Sequence, residues 1–227
     1  VPMNWQMMLG RGYDVPNYTN WEYPFPLDPP HIPNEIPCGL YVRDFTHTPQ
    51  EDKDFFLTFE GVDSCFYLFI NDRFVGYSQV SHCTSEFKIN DFLRPGKNTV
   101  KVLVLKWCEG SYLEDQDMWR LSGIFREVYI LARDRRRIVD LFLKPTLNDT
   151  LDEGTLTVDL VNSAPITVAY RLLDGAGNTL AEGEEKVGEE GTLAIATLEN
   201  PALWSDEEPT LYALELTVGN EHIYLPF

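Results

Sequence analysis

The sequence predicts an all-β chain of two sandwiches in series: a sandwich or jelly roll over residues 1–134, then an immunoglobulin-like sandwich over 135–227. Three observations carry this. Apolar residues recur with a period of two in short runs rich in β-branched and aromatic side chains, and almost no stretch follows a helical period. Turn residues stand between the runs at regular spacing. Near Arg133-Asp134-Arg135-Arg136-Arg137 a basic knot interrupts the pattern, and the composition shifts beyond it.

The opening 37 residues hold eight of the fifteen prolines together with several aromatics. A Pro-rich segment cannot join a central strand. Its aromatics argue for an ordered coil lying across the first domain, the kind of segment where binding residues gather. Strand-like runs follow at LYVRDFTH (40–47), FFLTFEG (55–61), CFYLFIN (65–71), RFVGYSQ (73–79), EFKI (86–89), NTVKVLVLKW (98–107) and FREVYILA (125–132). Asn71-Asp72-Arg73 joins two of them so closely that a hairpin is nearly forced. Beyond the basic knot come IVDLFLKP (138–145), GTLTVDLVNS (154–163), ITVAYRLLD (166–174), NTLAEGE (178–184), TLAIATL (192–198) and LYALELTVG (211–219). Their count and spacing suit a seven-stranded immunoglobulin-like sandwich. Glu182 to Glu190, with Gly183 and Gly188, reads as an exposed acidic turn region.

Composition narrows the function. With 44% hydrophobic residues the 227-residue chain fills a core readily, which excludes disorder. A formal charge of −18 repels phosphate backbones and anionic lipid, so nucleic acid and membrane surfaces are excluded as partners. No apolar run approaches the ~20 residues a membrane span needs. The chain opens on Val1 within sequence that already reads as ordered, which predicts a processed chain or a piece of something larger. Cys38, Cys65, Cys83 and Cys108 show no CxxC pair or zinc spacing. Cys65 and Cys108 adjoin apolar runs and read as buried thiols, with reduced cysteines and an intracellular source expected.

No catalytic triad, phosphate loop or zinc motif is present, and His31, His47, His82 and His222 have no motif company. One loop stands apart. Residues 108–126 place Glu109, Glu114, Asp115 and Asp117 beside Tyr112 and Trp119, with Arg120 and Arg126 close by. Carboxylates accept paired bonds from vicinal hydroxyls and an aromatic face covers the apolar side of a sugar ring, so the loop suits sugar recognition. Paired acids also suit glycosidase acid/base work, and the plainer reading is a structural loop in which Arg120 and Arg126 neutralise the acids. The residues alone leave these open.

The strings VPMNWQM (1–7), GYDVPNYTNWEYPFP (12–26), FEGVDSCFYLFINDRFVGYSQ (59–79), SEFKINDFLRPGKNTVKVLVLKW (85–107) and GSYLEDQDMWRLSGIFREV (110–128) resemble the sugar-binding domain of glycoside hydrolase family 2 β-galactosidases. NPALWSDEEPTLYALEL (200–216) resembles that family's immunoglobulin-like domain. The resemblance covers essentially the whole chain and implies a galactose-binding-like jelly roll followed by an immunoglobulin-like sandwich. It implies a retaining parent enzyme, bacterial, cytoplasmic and homo-oligomeric, that hydrolyses terminal β-D-galactosides such as lactose.

The same resemblance places the two catalytic glutamates, and the ligands of a catalytic Mg2+, on a TIM barrel that this chain lacks. Glu109, Glu114, Asp115 and Asp117 are therefore not the catalytic pair, and the chain alone is expected to be inactive. Two binding positions carry over: Asn20, closing Tyr18-Thr19-Asn20, reaches into the galactose pocket. Asp117, in Gln116-Asp117-Met118-Trp119, contacts galactose hydroxyls and helps hold Na+. Two departures lie at the aglycone side: bulky Trp21 directly after Asn20, and Gly10-Arg11, which look inserted before Gly12-Tyr13-Asp14. The competing readings are a free-standing carbohydrate-binding module and the same region of another family 2 glycosidase. For a β-glucuronidase, Asp117 facing a uronate is unfavourable.

Overall fold

A computed structural model describes residues 1–8, 10–20, 22–114 and 116–227 and divides the chain into two compact units, Val1–Ala132 and Arg133–Phe227. Trp21 and Asp115 lie outside the described residues. The first unit contains β1 (Met3–Asn4), β2 (Asn17–Thr19), β3 (Cys38–His47), β4 (Lys53–Phe59), β5 (Val62–Asp63), β6 (Cys65–Ile70) and β7 (Arg73–Ser78). It continues with β8 (Ser85–Lys88), β9 (Gly96–Leu105), β10 (Met118–Arg120), β11 (Gly123–Ile124) and β12 (Val128–Asp134), whose last two residues fall in the second unit.

Two sheets face each other in this unit. One has the order β3-β9-β6-β7 and the other β12-β4-β8. Alternation dictates which residues meet between them. From β6, Phe66, Leu68 and Ile70 point inward, against Phe55, Leu57 and Phe59 of β4 and Val102 and Val104 of β9. The β6–β7 hairpin closes through Asn71 and Asp72, both at positive φ (52° and 64°), the conformation a two-residue turn needs and Asn and Asp tolerate. Asn71 also holds the neighbouring turn: its amide donates to the Phe92 carbonyl and Asn98 Oδ1, and its Oδ1 accepts from the Thr99 N–H.

The Pro-rich opening is an ordered coil, as the sequence predicts. Its only regular pieces among the described residues are β1, β2 and a 3-10 turn at Trp5–Met7. Trp5 joins the core, while Phe25 packs edge-on against Trp107 and Tyr112, at 5.2 and 5.3 Å between ring centres. Gly10 has a φ of 80° and Arg11 donates its N–H to the Met8 carbonyl, so Gly10-Arg11 form part of a turn.

The second unit contains β13 (Ile138–Leu147), β14 (Glu153–Asn162), β15 (Ile166–Leu173), β16 (Thr179–Val187), β17 (Glu190–Glu199), β18 (Ala213–Val218) and β19 (Glu221–Pro226). They form a three-stranded sheet, β13-β14-β17, and a four-stranded sheet, β16-β15-β18-β19. The core is aliphatic: Leu156, Val158, Leu160, Val168, Leu172, Leu193, Leu214 and Leu216. Two sequence expectations are corrected here. The region from Glu182 to Glu190 is mostly strand, and only Gly188 and Glu189 lie between β16 and β17. Its glutamates Glu182, Glu184 and Glu185 are all exposed on this edge strand, while Val187 buries itself at the end, so acidity does not oppose pairing. Gly183 leaves room for Tyr170 to cross it: a Cβ there would stand 2.6 Å from the phenol oxygen, so the ring would have to shift. A last strand, β19, pairs along all of β18 where the sequence reading stopped at Gly219. Among the described residues no helix is long and apolar enough to cross a membrane.

Candidate functional site

β2 and β10 pair antiparallel, with Met118 opposite Thr19, Trp119 opposite Tyr18 and Arg120 opposite Asn17. Asn20 follows the last residue of β2 and Asp117 precedes the first of β10, so this register sets the two candidate residues opposite each other at one end of the ladder. Both are exposed. The Tyr18 hydroxyl donates to Asp117 Oδ1, and the carboxylate, by favouring the protonated phenol, raises Tyr18 above its usual range. Tyr18 also meets Trp119 at 5.7 Å, with the rings tilted 58°. Asn20, Asp117, Tyr18 and Trp119 thus make one exposed patch of amide, carboxylate, phenol and indole. A carboxylate has about four lone-pair positions; Tyr18 takes one, and the rest suit vicinal hydroxyls.

Behind the patch lies a dense polar network. Arg120 is buried, and its Nε donates to Thr19 Oγ1 at 2.8 Å while Nη1 donates to the Glu114 carbonyl at 3.2 Å. The Glu114 carboxylate accepts from the Ser81 N–H (3.0 Å) and hydroxyl (2.7 Å). Lys106 Nζ donates to Asp14 Oδ2 at 2.6 Å, in a pair whose side chains are only 4% and 14% exposed. Gln6 ties this pair to the loop, donating to Asp14 and accepting from the Ser122 N–H. Burial would raise Asp14, but bonds from Lys106, the Val15 N–H and Gln6 outweigh it and hold the carboxyl below its usual range.

Asp63 behaves oppositely. Burial pushes its carboxyl up to about 7, against a bond from Ser64; Glu114 adds repulsion, and Arg120 and Lys106 oppose the rise. It lines a cavity of about 10 Å3 with Ser64, Glu114, Arg120 and Ser122, the scale of a single water.

The loop acids therefore divide. Glu114 is held structurally by Ser81, and Asp117 faces outward with Tyr18. Glu109 starts a 3-10 turn, Glu109–Tyr112. Arg126 donates to the Glu60 and His82 carbonyls. Sequence reasoning missed Tyr18 as the partner of Asp117 and Gln6, Asp14, Lys106 and Asp63 as the layer behind it. For Tyr18 a signal existed, an aromatic with a hydroxyl two residues before Asn20; for the others only register and burial identify them. His47 packs on Phe55, His82 on Phe125, and His222 bonds Thr217. Cys65 and Cys108 are buried free thiols, whereas Cys38 and Cys83 are exposed. Asp117 offers the hard oxygen that Na+ prefers, and among the described residues no group of three or more His, Cys, Asp or Glu side chains gathers to hold a metal.

Residues 1–134 match the family model of the sugar binding domain of glycosyl hydrolases family 2, and residues 136–224 match a second model of glycosyl hydrolases family 2. The chain is 45% identical over 224 residues to a beta-galactosidase of Actinobacillus pleuropneumoniae, covering 98% of this chain and 21% of the relative. It is 42% identical over 226 residues to that of Staphylococcus xylosus, covering 98% and 22%. It thus spans about a fifth of the length of these curated relatives. Among solved structures, an FMN-binding beta-glucuronidase from Facaelibacterium prausnitzii L2-6 superposes with a TM-score of 0.73 at 18% identity, covering 85% of this chain and 32% of the other. An uncultured Clostridium sp. beta-glucuronidase gives 0.69 at 21% identity, covering 85% and 35%. At such identities the likeness shows the fold alone.

Proposed function

Because the chain belongs to glycosyl hydrolase family 2, we propose that it is the N-terminal portion of a retaining β-galactosidase, contributing one wall of the galactoside pocket. The observation that carries this reading is the register that sets Asn20 opposite Asp117, beside Tyr18 and Trp119. Asp117 accepts bonds from galactose hydroxyls, Asn20 both donates and accepts, and the Trp119 face covers the C–H side of a ring. These contacts count most where hydroxyl bonds tighten in the transition state. The acid/base and nucleophile glutamates, and the Mg2+ ligands, belong to the barrel of the parent. A Na+ ion bound there would take Asp117 as one ligand and supply fixed positive charge to orient hydroxyls. The parent is a homo-oligomer of the bacterial cytoplasm; its curated relatives are bacterial, and Cys65 and Cys108 are free thiols.

The test is Asp117→Ala in the full-length parent. We expect kcat/KM on a nitrophenyl β-galactoside to fall roughly 100-fold, about 2.7 kcal/mol, with an unchanged melting temperature because Asp117 is exposed. Wild-type kinetics would refute the assignment. The chain alone should turn over no galactoside; galactose binding by it at millimolar affinity, centred on Asn20 and Asp117, would instead favour the free-standing binding module.

A further inference from the structure

We propose that Arg120 is a positioning residue of the sugar pocket, its buried guanidinium bracing the two segments that present Asn20 and Asp117. The inference rests on the pocket reading above. β2 and β10 share a ladder of only three residue pairs, too short to be stable without support. The segments it joins are far apart in sequence, so the chain between them does little to align them. Arg120 sits at the far end of this ladder from Asn20 and Asp117, opposite Asn17, and is 6% exposed.

From there it reaches both segments. Nε holds Thr19, the residue before Asn20; Nη1 holds the carbonyl of Glu114, three residues before Asp117. Glu114 is itself anchored through its carboxylate to Ser81. Asp117 therefore lies between two held residues, Glu114 and Met118, the latter paired with Thr19. A guanidinium presents its donors in a rigid plane, so a single side chain sets the separation of two acceptors; an ammonium on a flexible stem does not. Arg120 also brings positive charge to the cavity that Asp63 and Glu114 line, which favours keeping its side chain inside rather than in solvent.

The experiment is a mutant cycle in the full-length parent. Arg120→Lys keeps the charge and removes the planar fork; Thr19→Val removes the acceptor while keeping the shape. Each should lower kcat/KM about tenfold, chiefly through kcat, with the melting temperature within a few degrees of wild type. In an Asn20→Ala/Asp117→Ala background Arg120→Lys should change kcat/KM less than twofold, because both residues it positions are gone. An equal tenfold loss in both backgrounds, or wild-type kinetics for both Arg120→Lys and Thr19→Val, overturns the proposal. If Asp117→Ala is itself wild type, the pocket reading falls and the proposal with it, an outcome distinct from a slow Asn20→Ala/Asp117→Ala double variant whose effect simply multiplies with that of Arg120→Lys. Should Arg120→Lys fold poorly, Thr19→Val crossed with the Asn20→Ala/Asp117→Ala pair decides the question by the same non-additivity.

Discussion

The two units share an architecture and differ in what fills them. The second unit is held by aliphatic side chains between two sheets, and its exposed ion pairs, such as Arg171–Glu215 and Lys144–Asp159, lie on the outer faces. The first unit adds an aromatic core and, beneath the β2/β10 ladder, a buried polar network: Gln6, Asp14, Lys106, Asp63, Glu114, Ser81 and Arg120. Aliphatic packing is non-directional and tolerates many arrangements of loops above it. Charged and hydrogen-bonded groups in a dry setting permit few arrangements, because each unmade bond is costly. Among the described residues the second unit has a few such groups, Arg137 and Asn162 among them; the unit that carries the candidate pocket gathers many of them under one ladder.

The sharpest way to break this contrast is Lys106→Ala in the 227-residue chain. It strands the Asp14 carboxylate in a largely buried site and should cost about 3–5 kcal/mol at neutral pH in chemical denaturation. Asp14 has a lowered folded pKa, so its contribution is present above the ordinary 3.8 and is lost as pH falls through the folded value; the cost of Lys106→Ala should shrink in that acidic range. A loss below about 1 kcal/mol at neutral pH would mean the pair is ornamental. In the second unit Leu160→Ala, at a site 1% exposed, should cost about 3 kcal/mol through lost contact and cavity, with no pH dependence between pH 5 and 8. A pH-dependent cost there would erase the distinction between the units.

The smallest expected effect is the most diagnostic in sign. Asp63 has a raised folded pKa of about 7 against 3.8, so the folded chain keeps its proton longer than the unfolded one. Stability from this group falls as pH climbs from about 4 to 7 and stays low above. Asp63→Asn mimics the protonated form and should gain about 1–3 kcal/mol relative to wild type at pH 8, the gain vanishing near pH 4. Hydrogen exchange of first-unit amides across that range reads it; a constant offset would contradict the buried-acid account.

Much of the fold was legible because alternation and burial are the same fact in an antiparallel sandwich. CFYLFI and KVLVL announce strands, although only the pairing shows which of their apolar residues turn inward, and Asn71-Asp72 announces its turn. The two-residue bridges β1, β5 and β11 carry no local pattern and exist only where other strands meet them. β16 was obscured because charge was read as turn, although a water-facing strand surface accepts charge freely. The site was half legible. Asn20 and Asp117 came through resemblance to a family, whereas residue types alone left both a binding loop and a structural loop open and leaned to the second.

By itself the sequence determined two β-sandwiches, most of their long strands, and a charge that turns away polyanions, because periodicity, turn chemistry and net charge are local or additive properties. The tertiary structure alone decided that Asn20 and Asp117 flank the same end of one ladder, that Glu114 belongs to Ser81 rather than to a substrate, and that the pKa values of Asp14 and Asp63 shift in opposite directions. Those outcomes depend on which groups from distant parts of the chain share a dry space. Hydrogen bonding and desolvation act over a few ångströms of that space, regardless of separation along the sequence.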